Sequence, residues 1–242
     1  DTIDLKVMRP NQLSLLTVNC TTVRPRVPPN TVDPRFIFHP SEIPFYAFKQ
    51  EEDARALRNL IAPQDTTKSC PSSPRVAILN RKGHREWINA ETAKEKLLHE
   101  LDVARNDIPI SHFENATFED QVNFLNQADV LISPHGAQLT GIVFLPDCGT
   151  VLEIFPVGYY HPLFFGSLAM AAGLQHTFVS LTNGDWKTEA NKVMQDQKAR
   201  QSARNKALCP DVEAIVNATK EAVQLWQTCC RKKALSKKSI LN

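Results

Sequence analysis

From residue 75 onward, short apolar runs alternate with longer amphipathic stretches. The apolar runs predict strands, since strands buried on both faces read as continuous apolar segments; they cover residues 75–79, 108–113, 130–132, 150–155 and 176–179. Apolar positions three and four residues apart predict helices; these cover residues 91–104, 119–127, 138–144, 163–172, 189–207 and 211–228. Strands that alternate with helices of this length indicate an α/β fold with a Rossmann-like parallel sheet.

The first 73 residues lack this regular order. Prolines interrupt most of this stretch, at Pro10, Pro25, Pro28, Pro29, Pro34, Pro40 and Pro44. It contains two strand-like runs, at residues 13–18 and 36–38, and a predicted helix at residues 50–61. The chain is therefore divided into an irregular segment at 1–73, a sheet domain at 74–231 and a basic tail at 232–242, which is expected to be solvated.

Composition narrows the possible functions. Hydrophobic residues make up 42% of the 242 positions, and the formal net charge of +2 argues against a nucleic-acid-binding protein. No apolar run is long enough to cross a bilayer, and the closest, residues 163–174, is better explained as a buried helix. The chain begins at Asp1 without an initiator Met, which predicts a fragment or a processed chain; any membrane attachment would come through a missing N-terminal anchor.

Six cysteines and three N-glycosylation sequons favour an oxidising compartment. The sequons begin at Asn19, Asn115 and Asn217, and the cysteines are Cys20, Cys70, Cys148, Cys209, Cys229 and Cys230. No Cys-x-x-Cys pair or Cys/His cluster has the spacing of a zinc site, so disulfides are preferred, with about fifteen possible pairings. The adjacent Cys229 and Cys230 are not expected to pair with each other. A bond from Cys209 to one of them would close the ends of the last helical region.

The clearest candidate for a binding site is the turn after the third predicted strand, which contains Pro134, His135, Gly136 and Ala137. Ligands of open α/β sheets bind at the carboxyl ends of the strands. A helix that starts directly after the turn directs free N–H groups at the same crevice, which suits a phosphate. Gly136 allows close approach of the backbone, and the His135 ring can donate or accept a hydrogen bond. Thr140 follows in the first turn of that helix.

A second candidate is the basic loop after the first predicted strand, with Arg81, Lys82 and Arg85. The chain has no Asp-x-Asp sequence that could hold a divalent metal ion beside a diphosphate. The guanidinium group of arginine can form bidentate hydrogen bonds to phosphate oxygens. Arg81 and Arg85 are therefore predicted phosphate contacts in a site without metal. Glu153, near the end of an apolar strand, would either accept from ribose hydroxyls or pair with Arg81 or Arg85.

Two blocks of sequence resemble a known family. The segment ADVLISPHGAQLT at 128–140, followed by FLP at 144–146 and VLEIFP at 151–156, resembles the signature block of glycosyltransferase family 61. The loop RKGHREWIN at 81–89 is similar to that family's basic loop, with Lys82 in place of a usual Arg. The resemblance covers roughly residues 74–181. Gln138 stands where the family often has Gly.

This resemblance implies an inverting glycosyltransferase of the Golgi or endoplasmic reticulum lumen that needs no metal or other cofactor. It implies transfer from a UDP-sugar, with GlcNAc ahead of xylose, to a glycoprotein or glycan acceptor. Residues 74–231 would be the C-terminal, nucleotide-sugar-binding half of a GT-B fold, and residues 1–73 part of the acceptor-side half.

The predicted site residues fall into two groups. The sugar-donor phosphates would contact Arg81, Arg85, His135, Gly136, Ala137 and Thr140, and the ribose or sugar would contact Glu153 and Tyr160. His135 is the one catalytic candidate, and the catalytic base is not assigned. Trp87 would cover the nucleotide base or simply pack in the core, and Asn89 is expected to cap the helix that begins near Glu91.

Two other functions remain as alternatives. A chain with this fold and phosphate loop could be a nucleotide-sugar-binding module without activity. A dehydrogenase is disfavoured because no predicted strand is followed by G-x-G-x-x-G.

Overall fold

A computed structural model describes Phe48 and residues 51–62, 70–103, 107–157, 159, 162–181 and 196–240. The strand-like runs predicted at 13–18 and 36–38, the sequon at Asn19 and the candidate Tyr160 lie outside these residues. Within the described part, no helix has both the length and the apolar character that a membrane span requires.

The described residues form a sheet of five parallel strands. The strands are β1 (Val76–Asn80), β2 (Ile110–His112), β3 (Val130–Pro134), β4 (Thr150–Phe155) and β5 (Gln175–Ser180). Their order across the sheet is β2-β1-β3-β4-β5. The predicted α/β class and the parallel sheet are confirmed, and both ends of every strand lie within two residues of their predicted positions.

Helices cover both faces of the sheet. They are α1 (Glu51–Ile61), α2 (Ala90–Glu100), α3 (Phe118–Asn126), a 3-10 helix (Ala137–Phe144), α4 (Pro162–Ala171), α5 (Gln197–Arg204) and α6 (Val212–Ile240). One core lies under α2 and α6 and includes Leu97 and Trp226. The second core, under α1, α3, α4 and the 3-10 helix, includes Leu125 and Leu168. Burial of strand residues on both faces explains why the strands read as continuous apolar runs.

Three helices differ from their predicted form, and one of them, predicted at residues 189–207, begins only at Gln197, after the N-cap Asp196, and ends at Arg204. The segment after the β3 turn is a 3-10 helix rather than an α-helix, and its cap residue Gly136 has no side chain to satisfy the first N–H groups. A Cβ on Gly141 would come within 2.8 Å of Cδ1 of Leu125, so this segment packs tightly on α3. Helix α6 continues to Ile240, well past the predicted end at residue 228, and Lys233 pairs with Asp147 in the part expected to be a free tail.

Two disulfides attach α6 to the rest of the domain. Cys230 bonds to Cys70 and Cys229 to Cys148. The pairing considered for Cys209 with Cys229 or Cys230 is therefore wrong, because successive helical residues point about 100° apart and each reaches a different segment of the body. Cys209 is also disulfide-bonded. Sulfur atoms of Cys70, Cys148 and Cys230 lie within 4.8 Å of one another, but all three belong to disulfides rather than to a metal site.

The strand order places a crevice at one edge of the sheet. After β1 the chain adds β2 on one side and then crosses to add β3 on the other. The connections that leave β1 and β3 therefore diverge to opposite faces, and they open a crevice at the carboxyl ends of these two strands. The basic loop follows β1 and the His135 turn follows β3, so both predicted motifs lie at this switch point.

Candidate functional site

A single buried side chain closes the basic loop. Asn80, the last residue of β1, accepts hydrogen bonds at Oδ1 from the backbone N–H of Arg81 (2.8 Å) and of Trp87 (2.9 Å). Its Nδ2 donates to the Trp87 carbonyl at 2.9 Å. These three bonds join the two ends of the loop and hold Arg81 and Arg85 beside the crevice.

Trp87 and Asn89 anchor the loop: of the two roles considered for Trp87 the structure confirms packing in the core, and Asn89 lies at the predicted cap position without making the capping bond. The Trp87 ring is 1% exposed and its Nε1 donates to Asn89 Oδ1 at 2.9 Å, so it is a core residue and not a cover for a nucleotide base. Asn89 stands at the N-cap position of α2 but makes no capping bond, and its Nδ2 donates to the Pro210 carbonyl. The loop is thereby tied to the segment that leads into α6.

The backbone of the loop is strained at Arg85. This residue has a φ of +61°, a left-handed backbone conformation that residues other than Gly rarely adopt. Such a conformation costs on the order of 1–3 kcal/mol and persists only where the surroundings impose it, often at functional sites. The surroundings hold Arg85 in this conformation, and the residue is 7% exposed.

The turn after β3 meets the basic loop directly. A Cβ built on Gly136 would overlap Nη1 of Arg81, so the guanidinium lies against the Gly136 backbone. The φ of Gly136 is 170°, which any residue adopts, and glycine is therefore required for the close approach alone. Gln138 folds back over the turn, donating to Ser133 Oγ at 3.1 Å. Both predicted halves of the site thus lie on the same edge of the sheet.

The arginines of this crevice form no ion pair within the described residues, although the charge of Glu114 acts on Arg81 and that of Glu153 on Arg85. The Nε atoms of Arg81 and Arg85 are buried, and neither has a hydrogen-bond partner within the described residues. Burial, followed by the charges of Arg81 and Arg204, lowers the pKa of Arg85 to about 10. Burial lowers the pKa of Arg81 as well; Glu114 opposes this and Arg204 adds to it. A cluster of partly desolvated cations is unfavourable alone, and an anion would stabilise it.

A buried carboxylate lies behind the turn. Glu153 on β4 is 0% exposed; its Oε1 lies 2.5 Å from His135 Nδ1 and its Oε2 lies 2.8 Å from His176 Nε2. Burial by itself would raise the pKa of Glu153, but the charge of His135 and hydrogen bonds from both histidines outweigh it and hold the pKa below its usual value. The cluster is therefore built around an ionised carboxylate.

This pairing changes the interpretation of Glu153. The predicted ion pair with Arg81 or Arg85 is wrong, because His135 and His176 hold both carboxylate oxygens. Complete burial also leaves no carboxylate surface open to a ribose hydroxyl in this arrangement. His176 was not predicted, since only the pairing of β4 with β5 brings the two side chains onto one face.

Aromatic rings surround the His135 side chain. Its centroid lies 5.0 Å from that of Phe155, 5.1 Å from Tyr159 and 5.4 Å from Phe165. The residue is 5% exposed, and its backbone N–H donates to the Ile154 carbonyl. These contacts fix the shape of the turn, while the predicted phosphate and catalytic roles of His135 stay predictions. Ala137 and Thr140 are exposed next to the turn.

Sequence comparison identifies the family of the chain. A family profile described as Glycosyltransferase 61 matches residues 18–152, more than half of the chain. The chain is 39% identical over 74 residues to Protein O-linked-mannose beta-1,4-N-acetylglucosaminyltransferase 2 of Homo sapiens, covering 29% of this chain and 12% of that protein. It is 27% identical over 121 residues to a beta-1,2-xylosyltransferase of Oryza sativa subsp. japonica, covering 49% and 24% respectively.

An alpha-1,3-arabinosyltransferase of the same rice is 29% identical over 121 residues, covering 46% of this chain and 19% of the relative. The chain thus spans less than a quarter of the length of each of these three proteins. The family predicted from the two sequence blocks is confirmed, and the matched range extends further toward the N-terminus than those blocks do. The chain belongs to glycosyltransferase family 61.

Proposed function

We propose that this chain is the nucleotide-sugar-binding half of an inverting GT-B glycosyltransferase, and that it holds the pyrophosphate of a UDP-sugar between the ends of β1 and β3. The observation that carries this proposal is the contact of the Arg81 guanidinium with the Gly136 backbone, beside the buried Arg85. Two separate motifs thereby converge on the crevice where ligands of such sheets bind.

The electrostatics of the crevice supports a diphosphate as the ligand. Two guanidinium groups with buried, unpartnered Nε atoms can each donate charge-assisted hydrogen bonds to phosphate oxygens. Such an arrangement stabilises the negative charge that develops on a leaving UDP as the glycosidic bond breaks. Arginines can therefore supply the positive charge that a metal ion supplies in other transferases, and the proposed reaction requires no metal.

The cluster of Glu153, His135 and His176 supports the site from behind. Glu153 holds the His135 ring, and the His135 backbone holds the end of β3 against β4. The turn that contains Gly136 is then fixed at the distance from Arg81 that a shared ligand requires. In this proposal Glu153 is a positioning residue, and a base for the acceptor hydroxyl comes from the acceptor side of the enzyme.

The proposed sugar and acceptor are based on the names of the related proteins. Their names describe transfer of N-acetylglucosamine, xylose and arabinose. The proposed sugar donor is UDP-GlcNAc, followed by UDP-xylose, and the acceptor is a glycoprotein or glycan. Residues 1–73 would contribute part of the acceptor-side half.

A secretory lumen is the proposed location. The described residues contain two complete disulfides and no free cysteine, which is typical of oxidising compartments. Asn115 and Asn217, which begin two of the sequons, are exposed at the surface. Both are therefore accessible for glycans.

The first test is stabilisation by UDP in the presence of EDTA. We expect UDP at about 100 times its Kd to contribute about 2.7 kcal/mol, which for a chain of this size raises Tm by roughly 5–10 °C. Uridine, which lacks phosphates, should produce a much smaller shift. Differential scanning fluorimetry with UDP, uridine and NAD measures all three.

The outcomes separate the proposal from its alternatives. A shift with NAD and none with UDP would reject the transferase proposal. A shift that requires a divalent metal would reject its metal-free form. If UDP binds but no UDP-sugar in a panel is hydrolysed or transferred, the inactive binding module is the better description of this chain.

A second prediction concerns the close contact at Gly136. In Gly136→Ala the new methyl group displaces the Arg81 guanidinium, which is the mobile end of a long side chain. We expect the Kd for UDP to rise about 10-fold, equivalent to about 1.4 kcal/mol, while Tm without ligand changes little. Isothermal titration calorimetry gives the Kd.

The matched control is Gly141→Ala in the 3-10 helix that Gly136 caps. Its methyl group would press on Leu125 of α3 and not on Arg81, so any loss should appear in stability rather than in UDP affinity. Equal UDP affinity of Gly136→Ala and the wild-type protein would show that the Arg81–Gly136 contact does not belong to the binding site.

A further inference from the structure

The loop that contains Arg81 and Arg85 is hydrogen-bonded to a segment far along the chain. The Leu208 N–H donates to the Glu86 carbonyl at 2.7 Å, and the Ile88 N–H donates to the Leu208 carbonyl at 2.9 Å. This short parallel bridge places Leu208 alongside Trp87. Helix α5 ends at Arg204, four residues before the bridge, which limits how far its last turn can lie from the basic loop.

The charge of Arg204 acts on both arginines of the crevice. It lowers the pKa of Arg81 and the pKa of Arg85, in each case after the larger effect of burial. The neighbouring Ala203 is 4% exposed and packs against the domain, whereas Arg204 itself is exposed. Among the described residues, the Arg204 side chain has no ion pair or hydrogen bond that would offset this like-charge repulsion.

We propose that Arg204 is a third arginine of the pyrophosphate site, supplied by α5 from outside the segment that matches the family profile. The inference rests on the proposed function and extends it. Three cations from different parts of the chain would then surround one diphosphate, with the buried Arg85 and the half-buried Arg81 at its base and Arg204 at its exposed side. Binding of the anion converts their mutual repulsion into attraction to a shared ligand.

A simpler explanation is that Arg204 only complements the dipole at the end of α5. A cation in the last helical turn is favourable by itself, by roughly 0.3–1 kcal/mol. That role would not require proximity to Arg81 and Arg85, and it would make Arg204 irrelevant to UDP. The two explanations therefore predict different effects on ligand binding.

The experiment compares Arg204→Ala with Lys206→Ala, which removes another exposed cation two residues later. We expect the Kd for UDP, measured by calorimetry at low salt, to rise about 10-fold in Arg204→Ala and less than about 2-fold in Lys206→Ala. Uridine should bind both variants and the wild-type protein alike. Arg204→Lys, which keeps the charge, should recover part of the affinity, and the difference between Arg204→Ala and the wild-type protein should shrink at high salt.

Failure of this inference can be distinguished from failure of the proposed function. If the wild-type protein does not bind UDP, the proposed function is overturned. If it binds UDP and Arg204→Ala binds as tightly as Lys206→Ala, only the role of Arg204 is overturned. A third outcome is that Arg204→Ala and Arg204→Lys lose UDP affinity equally and both have a lower Tm. This result would assign Arg204 a structural role, and it would also overturn the inference.

Discussion

Replacing Glu153 with Ala is expected to lower the free energy of unfolding by roughly 3–5 kcal/mol, because it removes one partner from a buried ionic cluster. His135 and His176 would lose the carboxylate that holds both rings, and a cavity would remain beside β5. Urea unfolding at pH 7 measures the loss. Glu119→Ala, an exposed carboxylate in the first turn of α3, is the control and should cost less than about 1 kcal/mol.

The same cluster predicts a dependence of stability on pH. The pKa of Glu153 in the folded state lies below the usual value of 4.5, because the two histidines outweigh the effect of burial. A carboxylate whose pKa is lower in the folded protein than in the unfolded chain stabilises the fold at pH values above its unfolded-state pKa. This stabilisation is lost as the pH falls through its folded-state pKa. Glu153→Gln cannot titrate at this position. The difference in unfolding free energy between the wild-type protein and Glu153→Gln should therefore shrink below about pH 4.5.

A constant difference from pH 7 to pH 3.5 would show that Glu153 is not ionised in the folded protein. UDP binding provides the second measurement, since Glu153 acts through the turn rather than on the ligand. Glu153→Gln, if folded, should bind UDP more weakly because the Gly136 turn is less firmly held. Unchanged affinity in this variant would separate the cluster from the binding site and leave it a purely structural feature.

Loss of both arginines is expected to abolish UDP binding. Each contributes charge-assisted hydrogen bonds worth about 1.5–3 kcal/mol, so Arg81→Ala and Arg85→Ala should each raise the Kd roughly 10- to 100-fold. The double variant should show no measurable binding. Lys82→Ala in the same loop is the matched control: its side chain is exposed, and the bond from Lys82 to Glu114 comes from the backbone N–H. It should change the Kd less than about 3-fold.

Arg85 offers an independent check, because binding and stability should change in opposite directions. Arg85→Asn removes a desolvated cation and places at φ +61° a residue that tolerates this conformation better. We expect Tm without ligand to stay the same or to rise while UDP binding is lost. An arginine kept in a strained, unpaired and buried position would then be explained by its ligand. A large drop in Tm would instead make Arg85 a structural residue.

Local patterns were sufficient to predict most of the elements. The strand at β3 and the turn at Gly136 are encoded within a few residues, as an apolar run followed by Pro, His and Gly. The 3-10 form of the next segment was missed; in the structure this segment packs tightly on α3, where Gly141 lies against Leu125, a contact that local sequence does not show. The length of α6 was missed because its last turns are polar on their own, and the Cys70–Cys230 disulfide and the Lys233–Asp147 pair tie this end to the body.

The sequence alone determined the α/β class, the family and two short segments suited to hold a phosphate, because apolar periodicity and local motifs are properties of neighbouring residues. The tertiary structure decided which side chains meet. Strand order placed Arg81 against Gly136, pairing of β4 with both β3 and β5 gave Glu153 its two histidines, and the bridge at Leu208 placed Arg204 near the basic loop. These contacts join residues separated by 18 to more than 100 positions, and nothing in the local sequence specifies such pairings.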